Sequence, residues 1–136
     1  MIHRRLNISK LHWLVDVFID DGSVDYAAII DCLYSIGATS GAVFDAIEMF
    51  DDNKPNEAFT CSTRHRHTCM YIGRTTSGNE FINSVVHELR HLVDHIASYY
   101  GIDNGEAVGY ISGDTAFLLA EDICRLGCDG RCTKHG

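Results

Sequence analysis

The chain has 136 residues, 46% of them hydrophobic, and carries 11 Lys and Arg against 19 Asp and Glu for a formal net charge of -8. This composition is typical of one globular domain, residues 1–136, and it excludes a disordered or membrane-spanning chain. The negative charge also argues against nucleic acid as a partner, because it repels a phosphate backbone.

The N-terminal region lacks the pattern of an export signal. Asp16, Asp20 and Asp21 interrupt the only apolar run that follows the first arginines. In a chain without such a signal, the six cysteines are expected to be thiols or ligands rather than disulfides. We therefore expect a cytoplasmic protein.

The first predicted elements are a strand and a helix. His12–Asp20 is rich in aromatic and branched residues and ends at a turn, which indicates a strand inside a sheet. Val24–Ile36 has apolar residues at helical spacing, with Ser23 as the expected N-cap and Gly37 as the stop.

A second helix and two strands follow. Helical periodicity covers Thr39–Phe50, and Asp51–Glu57 is a polar loop with the only proline. Ala58–Thr63 and Thr68–Arg74 are β-prone and are predicted either to pair as a hairpin or to form one bent edge. If Thr68–Arg74 is an edge strand, an extended peptide could add to it through backbone hydrogen bonds.

A long helix then begins at a capping box formed by Ser77 and Glu80, and it ends near Tyr100 with Gly101 as the left-handed stop. A last helix is predicted from about Asn104 to Leu126.

The long helix contains the motif H-E-x-x-H, in which His87 and His91 are four residues apart and Glu88 lies beside them. Residues at this spacing share one helix face, so both imidazoles can bind one metal ion while the carboxylate acts as a general base. A hydrolytic zinc site needs a third protein ligand and an open position for water. The motif therefore predicts a zinc hydrolase with one more ligand elsewhere in the chain.

Four residues are candidates for the third ligand: Asp94, His95, Glu106 and Asp114. His95 lies about 12 Å along the helix from His87, too far to share one ion, so Asp94 and His95 are expected to support the ligands instead. Glu106 approaches from the next helix and is the preferred ligand, although it could simply close a capping box. Asp114 stays a rival, because a tight hairpin of the two helices places its neighbourhood opposite His91.

With His87, Glu88, His91 and Glu106, the chain resembles the gluzincin metallopeptidases, the thermolysin-like group. The segment 105–114 also resembles the glutamate-bearing helix of small zincin-like proteins of bacteria and their phages. The resemblance implies a minimal α+β zincin-like fold, in which a small mixed or antiparallel sheet packs against the motif helix and a C-terminal helix carries the glutamate. It implies a zinc-dependent peptidase acting on a peptide or protein in the cytosol of a bacterium or phage host.

Several assignments stay open at this level. The residue types available to stabilise an oxyanion do not single out one residue: His65, His67, Tyr71, Tyr99 and Tyr110. Cys124, Cys128 and Cys132 could bind a second metal with His135 or be core residues. Gly109 and Gly113 suggest a close helix crossing. The alternatives to a peptidase are a non-catalytic zinc-binding or interaction module and a metal-free interaction protein.

Overall fold

A computed structural model describes residues 1–103, 105, 109, 113, 115–116 and 119–127. Four strands and four helices can be bounded in this part of the chain, together with a short 3-10 turn at Ser9–Leu11. In chain order they are β1 Ile2–Ile8, β2 Trp13–Ile19, α1 Tyr26–Ser35, α2 Ser40–Asp52, β3 Ala58–Thr63, β4 His67–Ile72, α3 Gly78–Tyr100 and α4 Ala120–Gly127.

The strands form one mixed sheet with the order β1-β2-β4-β3. β1 and β2 are antiparallel, β2 and β4 are parallel, and β3 and β4 form an antiparallel hairpin. The chain crosses from β2 to β4 by way of α1, α2 and β3. The expected α+β class with a small mixed sheet against the motif helix is confirmed.

The sheet is covered by helices on both faces. On one face, Ile29 and Leu33 of α1 and Val43 of α2 pack with Phe18 and Tyr71 of the sheet. On the other face, the amphipathic helix α3 packs apolar residues at helical spacing against the sheet and forms a second hydrophobic core. These residues are Phe81, Val85, Leu89, Leu92 and Ile96. α3 therefore lies beneath the sheet with one long side against it and the opposite side exposed.

The predicted strands are confirmed, but one of them occupies a different position in the sheet from the one expected. β2 lies inside the sheet, as expected, and β3 and β4 do pair as a hairpin. However, β4 is not an edge strand, because it is bonded to β2 on one side and to β3 on the other. The edges of the sheet are β1 and β3, so the expectation of an edge at Thr68–Arg74 is wrong.

Strand β1 was not predicted from the sequence. Ile2, Leu6 and Ile8 are its buried residues, and Arg4 on the same face breaks the apolar pattern. Arg4 is tolerated there because its guanidinium forms two hydrogen bonds with the carboxylate of Asp122 in α4, at 3.0 and 3.1 Å. The break in the pattern is thus a long-range ion pair that local sequence does not reveal.

The helix boundaries correct two expectations. The N-cap of α1 is Asp25, whose carboxylate accepts a hydrogen bond from the N–H of Ala28, whereas the Ser23 hydroxyl accepts one from the N-terminal amine. α2 continues through Asp52 and ends at Asn53, which adopts a left-handed conformation with φ of 50°. The predicted loop therefore begins two residues later than expected.

The motif helix matches its prediction closely. The Ser77 hydroxyl accepts a hydrogen bond from the N–H of Glu80, and Gly101 ends the helix at φ 68°. A left-handed residue at this position favours glycine, because a Cβ is strained there. Both caps depend only on neighbouring residues, which is why local sequence predicts them.

The predicted last helix is not continuous, because Leu119 lies in a turn before α4.

A Cβ placed at Gly109 or Gly113 would meet no described atom within 4 Å. A close helix contact is described at Gly127, where a Cβ would lie 2.7 Å from Cγ1 of Ile82. In the described part of the chain, no helix is both long and apolar enough to cross a lipid bilayer.

Candidate metal centre and substrate cleft

Helix α3 divides the H-E-x-x-H motif between its two sides. His87 and His91 lie on the exposed side, one turn apart, whereas Glu88 is only 4% exposed and points towards the sheet. The division follows from the helical period, since positions 88, 89 and 92 continue the buried stripe and positions 87 and 91 lie beside it. The imidazoles are therefore open to solvent while the carboxylate is enclosed.

The two histidines face each other through their Nε2 atoms, which are 3.0 Å apart, with ring centroids 4.6 Å apart and rings nearly perpendicular. Two nitrogens bound to one tetrahedral zinc, each at 2.0–2.1 Å, lie about 3.3 Å apart. One ligand atom from each of His87, Glu88 and His91 lies within 4.8 Å of the others. The donor types and spacing thus fit a zinc ion, and this is the only such group of three among the described residues.

Glu88 is connected to strand β3 by Thr60. The Thr60 hydroxyl donates a hydrogen bond to Oε1 of Glu88 at 2.8 Å, and it lies 3.3 Å from the backbone oxygen of the same residue. A carboxylate that accepts a hydrogen bond from a strand is restrained in position. The motif helix and β3 are therefore joined at the residue that the motif assigns as the base.

The direction of the backbone groups of β3 can be read from its neighbours. The oxygens of Arg66 and Ile72 accept hydrogen bonds from the N–H groups of Leu14 and Asp20, so the even-numbered residues from 66 to 72 bond towards β2. In an extended strand, successive residues direct their backbone groups to opposite sides. The odd-numbered residues of β4 therefore bond to β3.

Because the register pairs Cys61 with Cys69 and Phe59 with Tyr71, the odd-numbered residues of β3 bond to β4. The backbone N–H and C=O groups of Ala58, Thr60 and Ser62 point away from β4. These groups form the outer edge of the sheet beside the motif helix. An extended chain placed there could bond to them as an added strand.

His95 belongs to a chain of hydrogen bonds on the same side of the sheet. Its Nδ1 lies 2.7 Å from the Ser62 hydroxyl, which lies 2.8 Å from the Thr68 hydroxyl, which accepts a bond from the indole N–H of Trp13. Burial lowers the pKa of His95, and the nearby His91 lowers it further. The neutral imidazole is therefore favoured.

His95 lies outside the group of three, and its ring centroid is 6.4 Å from that of His91. Asp94 is exposed on the same helix and also lies outside that group. Glu106 and Asp114, the two candidates for the third ligand, lie outside the described residues.

Clefts extend along the outer edge of β3. One of about 340 Å³ lies between α2 and β3 and reaches His95. A second, of about 300 Å³, continues from His95 towards Tyr99 and Trp13. Ser62 lines both. The outer edge of β3, the Thr60 residue whose hydroxyl contacts Glu88, and His95 therefore border a continuous region of the surface.

The oxyanion candidates are dispersed. Tyr71 is buried on the α1 face, and burial raises its pKa. His67 bonds to Asp16, and the His65 ring lies beside Gly37. Tyr99 packs edge-on against Trp13 at the end of the second cleft. Tyr110 lies outside the described residues.

Of the residues suggested for a second metal site, Cys128, Cys132 and His135 also lie outside the described residues. Cys124 is an exposed free thiol.

Comparison of the chain with protein-family models, with curated proteins and with solved structures finds no match. The function is therefore inferred from the geometry of the chain itself.

The sequence analysis did not identify Thr60 and Ser62, which contact Glu88 and His95. The available signal was two hydroxyl residues at alternate positions of a strand, which share one face, but local sequence did not show that this strand is an edge.

Proposed function

We propose that the protein is a zinc-dependent metallopeptidase. The observation that supports this most directly is the pair of imidazole nitrogens 3.0 Å apart with the Glu88 carboxylate in the same group. His87 and His91 would hold the ion, with Glu106 as the expected third ligand. Bound there, zinc would supply Lewis acidity, which lowers the pKa of a water molecule and polarises a carbonyl group.

Glu88 is proposed to carry the proton of the reaction. Its carboxylate takes a proton from the attacking water as the water oxygen bonds to the scissile carbonyl carbon, and it delivers that proton to the leaving amine nitrogen. The Thr60 hydroxyl, 2.8 Å from Oε1, holds the carboxylate in one orientation during both transfers. Burial of Glu88 excludes bulk water from competing for the same proton.

The outer edge of β3 is proposed to bind the substrate. An extended peptide would pair with the outward backbone groups of Ala58, Thr60 and Ser62, which brings it next to Glu88. This replaces β4, the strand that the sequence had suggested. A peptide or protein substrate in the cytoplasm of a bacterium or phage host remains part of the proposal.

The test combines metal content with cleavage of an unstructured protein. The wild-type chain should bind one zinc and cleave, whereas Glu88→Gln should keep the zinc and lose cleavage by about 10²–10⁴-fold. Asp31→Asn, an exposed carboxylate-to-amide change in α1 on the opposite face of the sheet, is the matched control and should leave both unchanged.

A wild-type chain that binds no zinc would contradict the proposal. Zinc binding without cleavage would instead favour the non-catalytic zinc module, in which the ion contributes folding energy. Cleavage that survives Glu88→Gln would remove Glu88 as the base.

A further inference from the structure

The cleft between α2 and β3 has an apolar wall and a single charged group. Ala42, Ala46 and Met49 of α2 face Phe59 of β3 across a space of about 340 Å³, and Asp45 is the charged residue among the described side chains that line it. Mostly apolar clefts of at least about 300 Å³ with a few polar groups are typical of ligand sites, so this space is large enough for one long side chain.

The charge of α2 reinforces that of Asp45. The helix Ser40–Asp52 contains four exposed acidic residues and no lysine or arginine. The four are Asp45, Glu48, Asp51 and Asp52. Arg64 and His65 lie at the far end of the strand, where they line an adjoining cleft with Thr63. The α2 wall therefore attracts cations, and the two ends of the strand edge differ in charge.

The pleat of the sheet determines which residue of a bound peptide enters this cleft. Side chains directly opposite each other on paired strands lie on the same face. A peptide residue opposite Thr60 would face α3 and Glu88, since the Thr60 side chain lies on that side. The next residue along the peptide, opposite Phe59 or Cys61, would face α2 and Asp45.

We propose that the cleft is a specificity subsite for a long cationic side chain, lysine or arginine. The aliphatic stem would pack against Met49 and Phe59 while the cation reaches the Asp45 carboxylate. The inference rests on the proposed docking of a peptide at β3, and it names the substrate class as peptides with a basic residue adjacent to the residue that faces Glu88.

Two probes that differ only in charge test the subsite. Acetyl-Ala-Thr-Arg-Thr-Ala-amide and its counterpart with citrulline in place of arginine are titrated into ¹⁵N-labelled protein, in EDTA and with zinc. The arginine probe should bind about fivefold more tightly, with the largest amide shifts in Phe59–Ser62. Asp45→Asn should abolish the preference, whereas Asp51→Asn on the same helix, outside the cleft, should retain it.

Equal affinity of the two probes, a preference unaffected by Asp45→Asn, or no binding of either probe would overturn the subsite. The measurement in EDTA tests binding to the subsite without zinc, so its result does not depend on whether the protein is a peptidase. Binding with an Asp45-dependent preference but no cleavage in zinc would retain the subsite and contradict the hydrolase. Cleavage in zinc without that preference would retain the hydrolase and contradict the subsite.

Discussion

Two regions of the molecule bring together two histidines and one carboxylate, and they differ in how the carboxylate is satisfied. In one, Asp16 lies beneath His3, His67 and Arg5, which place four nitrogens within 3.1 Å of its oxygens. Burial by itself raises the pKa of Asp16, but the hydrogen bonds from Arg5, His67 and His3 outweigh it and hold the pKa at about 2. This carboxylate is fully compensated by the protein.

In the other region, the protein provides less compensation. Among the described residues, the Glu88 carboxylate accepts a hydrogen bond from Thr60, which is neutral. The His87 and His91 nitrogens point at each other rather than at the carboxylate. Two facing imidazole nitrogens can share at most one proton, whereas a cation can accept a lone pair from each.

The difference teaches that residue composition does not distinguish a structural ion cluster from a metal site. The orientation of the imidazole nitrogens is the property that differs between the two regions. At Asp16 they are directed at an acceptor, so the cluster holds strands β1, β2 and β4 together. In the motif the two Nε2 atoms face each other at 3.0 Å, an arrangement that could hold a metal ion.

The largest expected effect tests whether only one cluster binds zinc. His91→Ala should abolish zinc-induced stabilisation, which is about 2.7 kcal/mol for the wild-type chain at a zinc concentration 100 times Kd. His3→Ala removes a histidine from the Asp16 cluster and should leave that increment intact. Thermal unfolding with and without zinc measures both, and an increment that survives His91→Ala would break the comparison.

The next effect concerns the Asp16 cluster. Because the folded pKa lies below the ordinary 3.8, the ionised carboxylate stabilises the fold above about pH 4, and this contribution declines as the pH falls towards 2. Asp16→Asn should therefore cost about 2 kcal/mol at pH 6 and much less near pH 2. Urea unfolding at both pH values measures this, and an equal cost at the two would show that charge is not the cause.

The smallest effect concerns the link between Glu88 and β3. Thr60→Val keeps the shape of the side chain but removes the hydroxyl, and it should lower kcat/KM by about tenfold because the base loses its restraint. Thr60→Ser restores the hydroxyl and should recover most of the activity. If Thr60→Ser is as impaired as Thr60→Val, packing rather than the hydrogen bond is responsible.

The local elements of the fold were largely predictable. The cap at Ser77, the stop at Gly101 and the shared face of His87 and His91 follow from hydrogen bonds and periodicity within a few residues. Strand β1 was missed because Arg4 occupies a buried-face position, which only its ion pair with Asp122 explains. The third ligand stays a prediction, since Glu106 and Asp114 lie outside the described residues.

The sequence by itself determined the helix of the motif, the donor types on it and the presence of an α+β arrangement, because these depend on neighbours along the chain. Only the tertiary structure decided that β3 rather than β4 forms the edge of the sheet, that Thr60 meets Glu88 and that α2 borders the cleft with Asp45. Strand order is set by packing between segments distant in sequence, and no local pattern encodes it.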